Sequence, residues 1–134
     1  MDECSTCSFA ATSLGAKKIL QMDAVSISDA IEKKKLTCQD LMKATLDRID
    51  EVNPRCNAII QVRNRAELLA LARRADQSAR KGWLHGIPIA IKDLSNAKGL
   101  PTTFGGSPLF QDFVPNFNDT FVENIEKAGG IIIG

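Results

Sequence analysis

The sequence predicts an α/β protein, and three observations carry that prediction. Helix-period segments alternate with short apolar runs, which is the pattern of a layered sheet with crossover helices. The apolar runs are β-branched, as in Ile87-Pro88-Ile89-Ala90-Ile91 and Ile131-Ile132-Ile133. Pro and Gly gather between the periodic segments.

Length and composition fit one domain. The 134 residues suffice for a real core, and 44% hydrophobic with 25% charged residues is ordinary for a soluble globular chain. The formal net charge is +1, with no long basic stripe, so nucleic-acid binding has no electrostatic support. No apolar run nears the roughly 20 residues that cross a bilayer.

Residues 1–22 read as a flexible or partly helical lead-in. A mitochondrial presequence is weakened by Asp2, Glu3 and the lack of arginine there, and no secretory signal is visible. The expected location is therefore the cytoplasm, with free thiols at Cys4, Cys7, Cys38 and Cys56. Cys4 and Cys7 have redox or zinc spacing, but no second ligand pair follows.

Ser26-Ile27-Ser28-Asp29 has the form of a capping box opening a helix to about residue 34, where Lys33, Lys34 and Lys35 suit the negative end of the dipole. Thr37-Cys38-Gln39-Asp40 repeats the cap. Leu41, Met42, Thr45, Leu46, Ile49 and Val52 follow at helical spacing, with Met42 as core filler, and Asn53-Pro54 predicts the end. Residues 57–62 read as a short strand. A helix is predicted over 64–81, with Leu68, Leu71, Ala72, Ala75 and Ala79 inward, its arginines on a wet face, and Gly82 closing it.

Gly86-Ile87-Pro88-Ile89-Ala90-Ile91-Lys92-Asp93 organises the rest. It reads as a buried strand ending in an amine. Alternation puts the three isoleucines on one side and Pro88, Ala90 and Lys92 on the other. Two readings of Lys92 stay open. It can snorkel into water, or it can be desolvated, which favours the neutral amine that works as a base. A tight pair with Asp93 would spoil that base, but Asp93 should point to the opposite face.

His85, the only histidine, lies seven residues from Lys92. That is about 23 Å of extended chain, so it reads as a loop residue beside Trp83 rather than a partner. Residues 95–117 form a long loop holding four of the six phenylalanines. Those rings either pack under the loop or offer an apolar wall. Gly105-Gly106-Ser107 lacks the context of a nucleophile elbow and reads as turn chemistry. Asn118 or Asp119 caps a helix with Phe121, Val122, Ile125 and Ala128 inward, and Gly129-Gly130 ends it before the last strand. That strand stops at Gly134 with sheet edges open, so the expectation is a portion of a larger sheet.

In order, these residues resemble the N-terminal part of amidase signature enzymes. The matching stretches are Leu84-His85-Gly86-Ile87-Pro88-Ile89-Ala90-Ile91-Lys92-Asp93-Leu94, Gly99-Leu100-Pro101-Thr102-Thr103, Phe113-Val114-Pro115, and Ala128 through Gly134. Leu36-Thr37, Val52-Asn53-Pro54 and Asn57-Ala58-Ile59 join them. The resemblance covers residues 23–134, as the N-terminal part of an amidase domain, a layered fold with a mixed sheet flanked by helices.

It implies amide hydrolysis by a serine nucleophile, a second serine at a cis peptide and a lysine, with no metal or organic cofactor. Lys92 matches that lysine, and it is the one catalytic residue carried over. The family's Gly/Ser-rich signature is not among these residues, and Ser107 matches neither serine. The implied partner is a small-molecule amide taken by the full-length protein, and the 134-residue chain is expected to be inactive alone. Two further readings stay open. One is the glutaminase subunit of a tRNA-dependent amidotransferase, with partner subunits; the stretch 107–110 looks more like general amidases. The other is a non-catalytic binding module that pairs an open sheet edge.

Overall fold

The computed structural model describes residues 15–134. The expectations for Cys4 and Cys7, and most of those for the lead-in, lie outside the described residues. The elements in order are α1 (Ala16–Ile19), α2 (Ala24–Glu32), α3 (Cys38–Cys56), α4 (Arg65–Asp76), β1 (Pro88–Ile89), a 3-10 turn (Pro108–Phe110), α5 (Thr120–Lys127) and β2 (Ile131–Ile132). β1 and β2 pair in parallel, with Pro88 opposite Ile131 and Ile89 opposite Ile132. A helix-rich chain around a small parallel sheet is the α/β architecture that the alternation predicts.

Backbone bonding extends the ladder past both strands. Gly86 N–H reaches Gly129 O at 2.9 Å, Ile131 N–H reaches Ile87 O at 2.9 Å, Ile133 N–H reaches Ile89 O at 2.9 Å, and Ile91 N–H reaches Gly134 O at 2.8 Å. Ile131 and Ile133 pack with Cys38, Met42 and Leu46 of α3 and Leu68 and Ala72 of α4. Ile132 faces the other way, against Val122 of α5 and Ala97 and Leu100 of the loop. Successive side chains thus enter opposite layers, and both faces of the sheet are covered, as parallel sheets require. Ile87 joins a third cluster with Ile19, Ala30, Leu36 and Leu41, so α1, within the predicted lead-in, packs on the body through Ile19. Met42 is fully buried, in the core role the periodicity assigns it.

Several boundaries differ from the sequence expectations. The cap of α2 is Asp23, which accepts from Ser26 N–H at 2.8 Å, so the helix opens before the Ser26 box. Lys34 adopts φ 54°, and the N–H groups of Lys35 and Leu36 both return to Ala30 O, which closes α2. Thr37 caps α3 as predicted, accepting from Asp40 N–H at 3.0 Å. α3 runs through Pro54 to Cys56. A proline in the last turn forfeits one bond, to the carbonyl four residues back, and Asn57 at φ 47° then ends the helix.

Residues 57–62 are not a strand. Asn53 pinches Ile59 from both sides: its Oδ1 accepts from Ile59 N–H at 2.9 Å and its Nδ2 donates to Ile59 O at 2.8 Å. These are the groups a ladder would need. α4 stops five residues short of the predicted Lys81, because Ala75 O is taken by Ser78 N–H, the Ser78 hydroxyl and His85 Nε2. Arg80 leaves the expected wet face and donates to Ser28 O at 3.1 Å and Ser28 Oγ at 2.7 Å. Phe121, expected inward, is 47% exposed, while its neighbour Val122 is fully buried. Asp119 sits at the N-cap position of α5 without capping it. Its carboxylate holds Asn96 instead, through N–H at 2.9 Å and Nδ2 at 3.1 Å.

Candidate active site

The segment from Gly86 to Asp93 starts at a close approach. Gly86 has φ +76°, and a Cβ there would run into Cys38 Sγ. This contact fixes where the segment leaves α3. The ladder to 129–134 then carries it outward, from buried Ile87 through half-buried Ile89 and Ile91 to exposed Lys92. Ala90 and Lys92, on the side predicted to be small, are open. In the described chain Lys92 is therefore exposed, the first of the two readings that the sequence left open. The register puts Pro88 on the face of Ile131, which α3 and α4 cover, so the exposure is confined to Ala90 and Lys92 at the end of the segment. No hydrogen bond or ion pair engages Lys92 Nζ among the described residues.

Lys92 lines a cavity of about 430 Å³. One wall is the pinched segment Ala58–Gln61, another is Ala97, Leu100 and Pro101 of the long loop, and a third is Gly105 with Gly106. The lining is mostly apolar with one amine at its floor, a composition suited to an organic ligand held by few polar groups. The chain reverses directly after Lys92, whose carbonyl accepts from Leu94 N–H at 2.7 Å and Ser95 N–H at 3.0 Å.

Asp93 is the residue that sequence reasoning undervalued. No ion pair joins it to Lys92 among the described residues, but it is not idle. Its carboxylate accepts from Thr103 N–H at 2.6 Å, from the Thr103 hydroxyl, and from Gly105 N–H at 3.0 Å. Partial burial pushes the Asp93 pKa up, but the bonds from Thr103 and from the Gly105 and Gly106 amides outweigh it and leave the carboxyl below the usual range. Phe104, Gly105 and Gly106 all have positive φ, of 53°, 84° and 88°. Consecutive residues of this kind turn their N–H groups inward and form an anion-binding concavity. Asp93 supplies the anion. The one available signal was a Gly-Gly pair following an acidic residue by a dozen positions, and no period connects the two.

His85 is buried, at 6% exposure. Its Nδ1 accepts from Lys81 N–H at 3.3 Å, and its Nε2 donates to Ala75 O at 3.0 Å, since a carbonyl can only accept. One nitrogen is committed to the end of α4 and the other to the segment that follows it, and neither serves Lys92. Ser107 precedes the 3-10 turn, with its N–H on Thr103 O at 2.9 Å, as turn chemistry predicts. Phe104, Phe110 and Phe113 pack on one another with centroids 4.8 to 6.2 Å apart. Of the two readings of the loop phenylalanines, self-packing describes these three. Cys38 is buried; desolvation first, and the Asp76 carboxylate second, push its thiol up to about 12, so it is no nucleophile.

The family model described as Amidase matches residues 40–134. The chain belongs to the amidase family. Its relatives include an acylamidase of Rhodococcus erythropolis, 34% identical over 119 residues, covering 84% of this chain and 24% of the relative. A glutamyl-tRNA(Gln) amidotransferase subunit from Desulfatibacillum aliphaticivorans is 36% identical over 121 residues, covering 86% of this chain and 24% of the relative. Among solved structures, the peptide amidase of Stenotrophomonas maltophilia superposes with a TM-score of 0.74 at 30% identity, over 85% of this chain and 24% of that one. The chain thus spans about a quarter of the length of the curated relatives it matches. The amidase-family region includes β1, β2, the cavity and Lys92. No helix among the described residues is long and apolar enough to cross a membrane.

Proposed function

We propose that this chain carries the lysine of an amide hydrolase and that Lys92 is its proton-transfer base. The observation that supports this reading is the place of Lys92: an amine at the end of the β1 segment, in a mostly apolar cavity of about 430 Å³, with no counterion engaged among the described residues. In the reaction, neutral Lys92 takes a proton through a serine held at a cis peptide. A second serine attacks the amide carbonyl, and Lys92 later returns the proton to the leaving amine. This is a Ser-Lys form of triad logic. The amine must be neutral to begin, and in the described chain it is exposed, so burial of Lys92 in the full-length protein is part of the proposal.

None of the 134 residues supplies the two serines of that scheme, and the purified 134-residue chain is proposed to turn over no amide. The substrate class is a small-molecule amide, and the expected location remains the cytoplasm, with Cys38 and Cys56 as free thiols. A glutaminase role is the second reading, favoured by the similarity to a glutamyl-tRNA(Gln) amidotransferase component. It requires partner subunits that co-purify.

The test is the mass of the native species, detected with an antibody raised against residues 57–94. For a species several-fold heavier than 14.6 kDa, Lys92→Ala should cut amide turnover roughly 10³-fold or more while the fold persists. Retained turnover in that variant would refute the role of Lys92. A species at 14.6 kDa would refute amide hydrolysis as the native function and favour a binding module.

A further inference from the structure

We propose that Asp93 is a positioning residue, whose carboxylate is tied into the Thr103–Gly106 turn so that it stays off the neighbouring Lys92 amine and fixes one wall of the cavity. This rests on the reading of Lys92 as a base. A carboxylate one residue from a catalytic amine is a hazard, because a close opposite charge holds a lysine in its protonated form. Here each carboxylate oxygen is occupied. Oδ1 takes Thr103 N–H, and Oδ2 takes both the Thr103 hydroxyl and Gly105 N–H. The backbone carbonyl of Asp93 accepts from Gly105 N–H as well, at 3.0 Å. Thr103 Oγ1 in turn accepts from Gly106 N–H at 2.8 Å, so the hydroxyl is locked as a donor to Asp93.

The arrangement does two things at once. It spends the lone pairs of Asp93 on donors of the turn rather than on the Lys92 amine. It also fastens Gly105 and Gly106, which line the cavity, to the residue next to the amine. The turn needs an anion at its centre, and the amine needs that anion elsewhere. Of the side chains lining the cavity, from the Ala58–Gln61 segment, the 95–102 loop and the turn, only Lys92 and Asp93 ionise. The α-carboxyl group of Gly134 also faces this space in the 134-residue chain. It is common to every variant below, so differences between variants exclude it.

The test is competitive acetylation of Lys92 by acetic anhydride in the 134-residue chain, from about pH 7 to about pH 11 to bracket the ordinary lysine range. Peptides are quantified by mass spectrometry with Lys98 as internal reference. In Asp93→Asn the midpoint for Lys92 should stay within about 0.3 pH units of the wild type, because the charge removed was already turned away. In Thr103→Val, which removes one of the two donors on Oδ2, it should rise by up to about one unit. Thr103→Ser keeps the hydroxyl and should match the wild type.

A fall of about one unit in Asp93→Asn would mean that Asp93 already pairs with Lys92, and would overturn the proposal. An unchanged midpoint in folded Thr103→Val would overturn it too. If Thr103→Val does not fold, amide hydrogen exchange in the wild type decides. Thr103 and Gly105 N–H should be protected well beyond exposed loop amides, and no protection would overturn the anchor. Labelling reads the amine rather than turnover. If Lys92→Ala retained hydrolysis, the reading of Lys92 would fail and this result would stand apart from it.

Discussion

The carboxylate of Asp76, the last residue of α4, accepts from the backbone N–H of Cys38 at 2.7 Å in the first turn of α3, and from that of Gln39 at 3.1 Å. One helix thus caps the next, across 38 residues of chain. The opening N–H groups of a helix have no partner within it, and a carboxylate there is favoured by both the hydrogen bonds and the helix dipole. Thr37 satisfies a further N–H, that of Asp40, so the two caps share the work. Asp76→Ala should lower stability by about 1–2 kcal/mol. Asp76→Asn should lose less, since an amide oxygen still accepts. Urea unfolding of the two variants against wild type checks the order.

The same contact shields Cys38. With its thiol pushed up to about 12, the thiolate fraction near neutral pH is negligible, whereas Cys56 is exposed. Iodoacetamide at neutral pH should modify Cys56 and leave Cys38 until the chain unfolds. The linkage has a definite sign. A folded value above the ordinary 9.0 means that the native state holds this proton more tightly than the unfolded state. Its contribution is complete below about pH 9 and is lost as pH rises from there toward about 12. Denaturant midpoints should therefore fall across that alkaline window, and Cys38→Ser should flatten the fall.

Two glycines carry the approach of the β1 segment to its neighbours. Gly129 has φ +96°, and a Cβ on it would sit 2.7 Å from His85 Cα, which is backbone and cannot step aside. Gly86 at φ +76° would meet the side chain of buried Cys38, Sγ first and Cβ at 2.7 Å. Gly99 has φ +77° but open space around it. Gly129→Ala and Gly86→Ala should each cost more than about 3 kcal/mol or prevent folding, because strain and collision add. Gly99→Ala carries the strain alone and should cost about 1 kcal/mol. Thermal melts of the three variants separate the two causes.

These contacts also explain what could be read in advance. α3 was legible because its cap and its apolar stripe are local: Thr37 and Asp40 are three apart, and Leu41, Met42 and Leu46 fall on one face. The β1 and β2 segments were legible because both faces of a parallel sheet are apolar. The expected strand at 57–62 failed for a non-local reason, since Asn53 takes both backbone groups of Ile59. α4 ended early because Ala75 O serves His85, ten positions away. The family was visible in an ordered set of short motifs. The hydrogen bonds of Asp93 were not, because its partners lie in a loop without a period, and Lys92 proved exposed at the end of its segment.

The two long-range carboxylate clasps of the loop should release in acid. Asp119 is held low by the Asn96 side-chain amide first and the Asn96 N–H second. Asp93 is raised by burial but held low overall by Thr103, Gly105 and Gly106. For a carboxyl whose folded value lies below the ordinary 3.8, the native state holds the proton less tightly than the unfolded one. The stabilisation is present above that value and is lost as pH falls through the lower, folded one. Asp119 ties the two ends of the 95–119 loop together at Asn96 and Asp93 holds its middle at Thr103 and Gly105, while Val122 and Ile132 hold its base through apolar contacts that do not titrate. Acid should therefore loosen the loop before it unfolds the body. Hydrogen exchange of Asn96, Thr103 and Gly105 N–H should accelerate below about pH 3.8, relative to the intrinsic rate at each pH, while the α3 amides around Leu46 stay protected. Asp119→Ala should bring the release of Asn96 to neutral pH and leave Thr103 unchanged. Simultaneous loss of protection in the loop and in α3 would show that the clasps belong to the global fold.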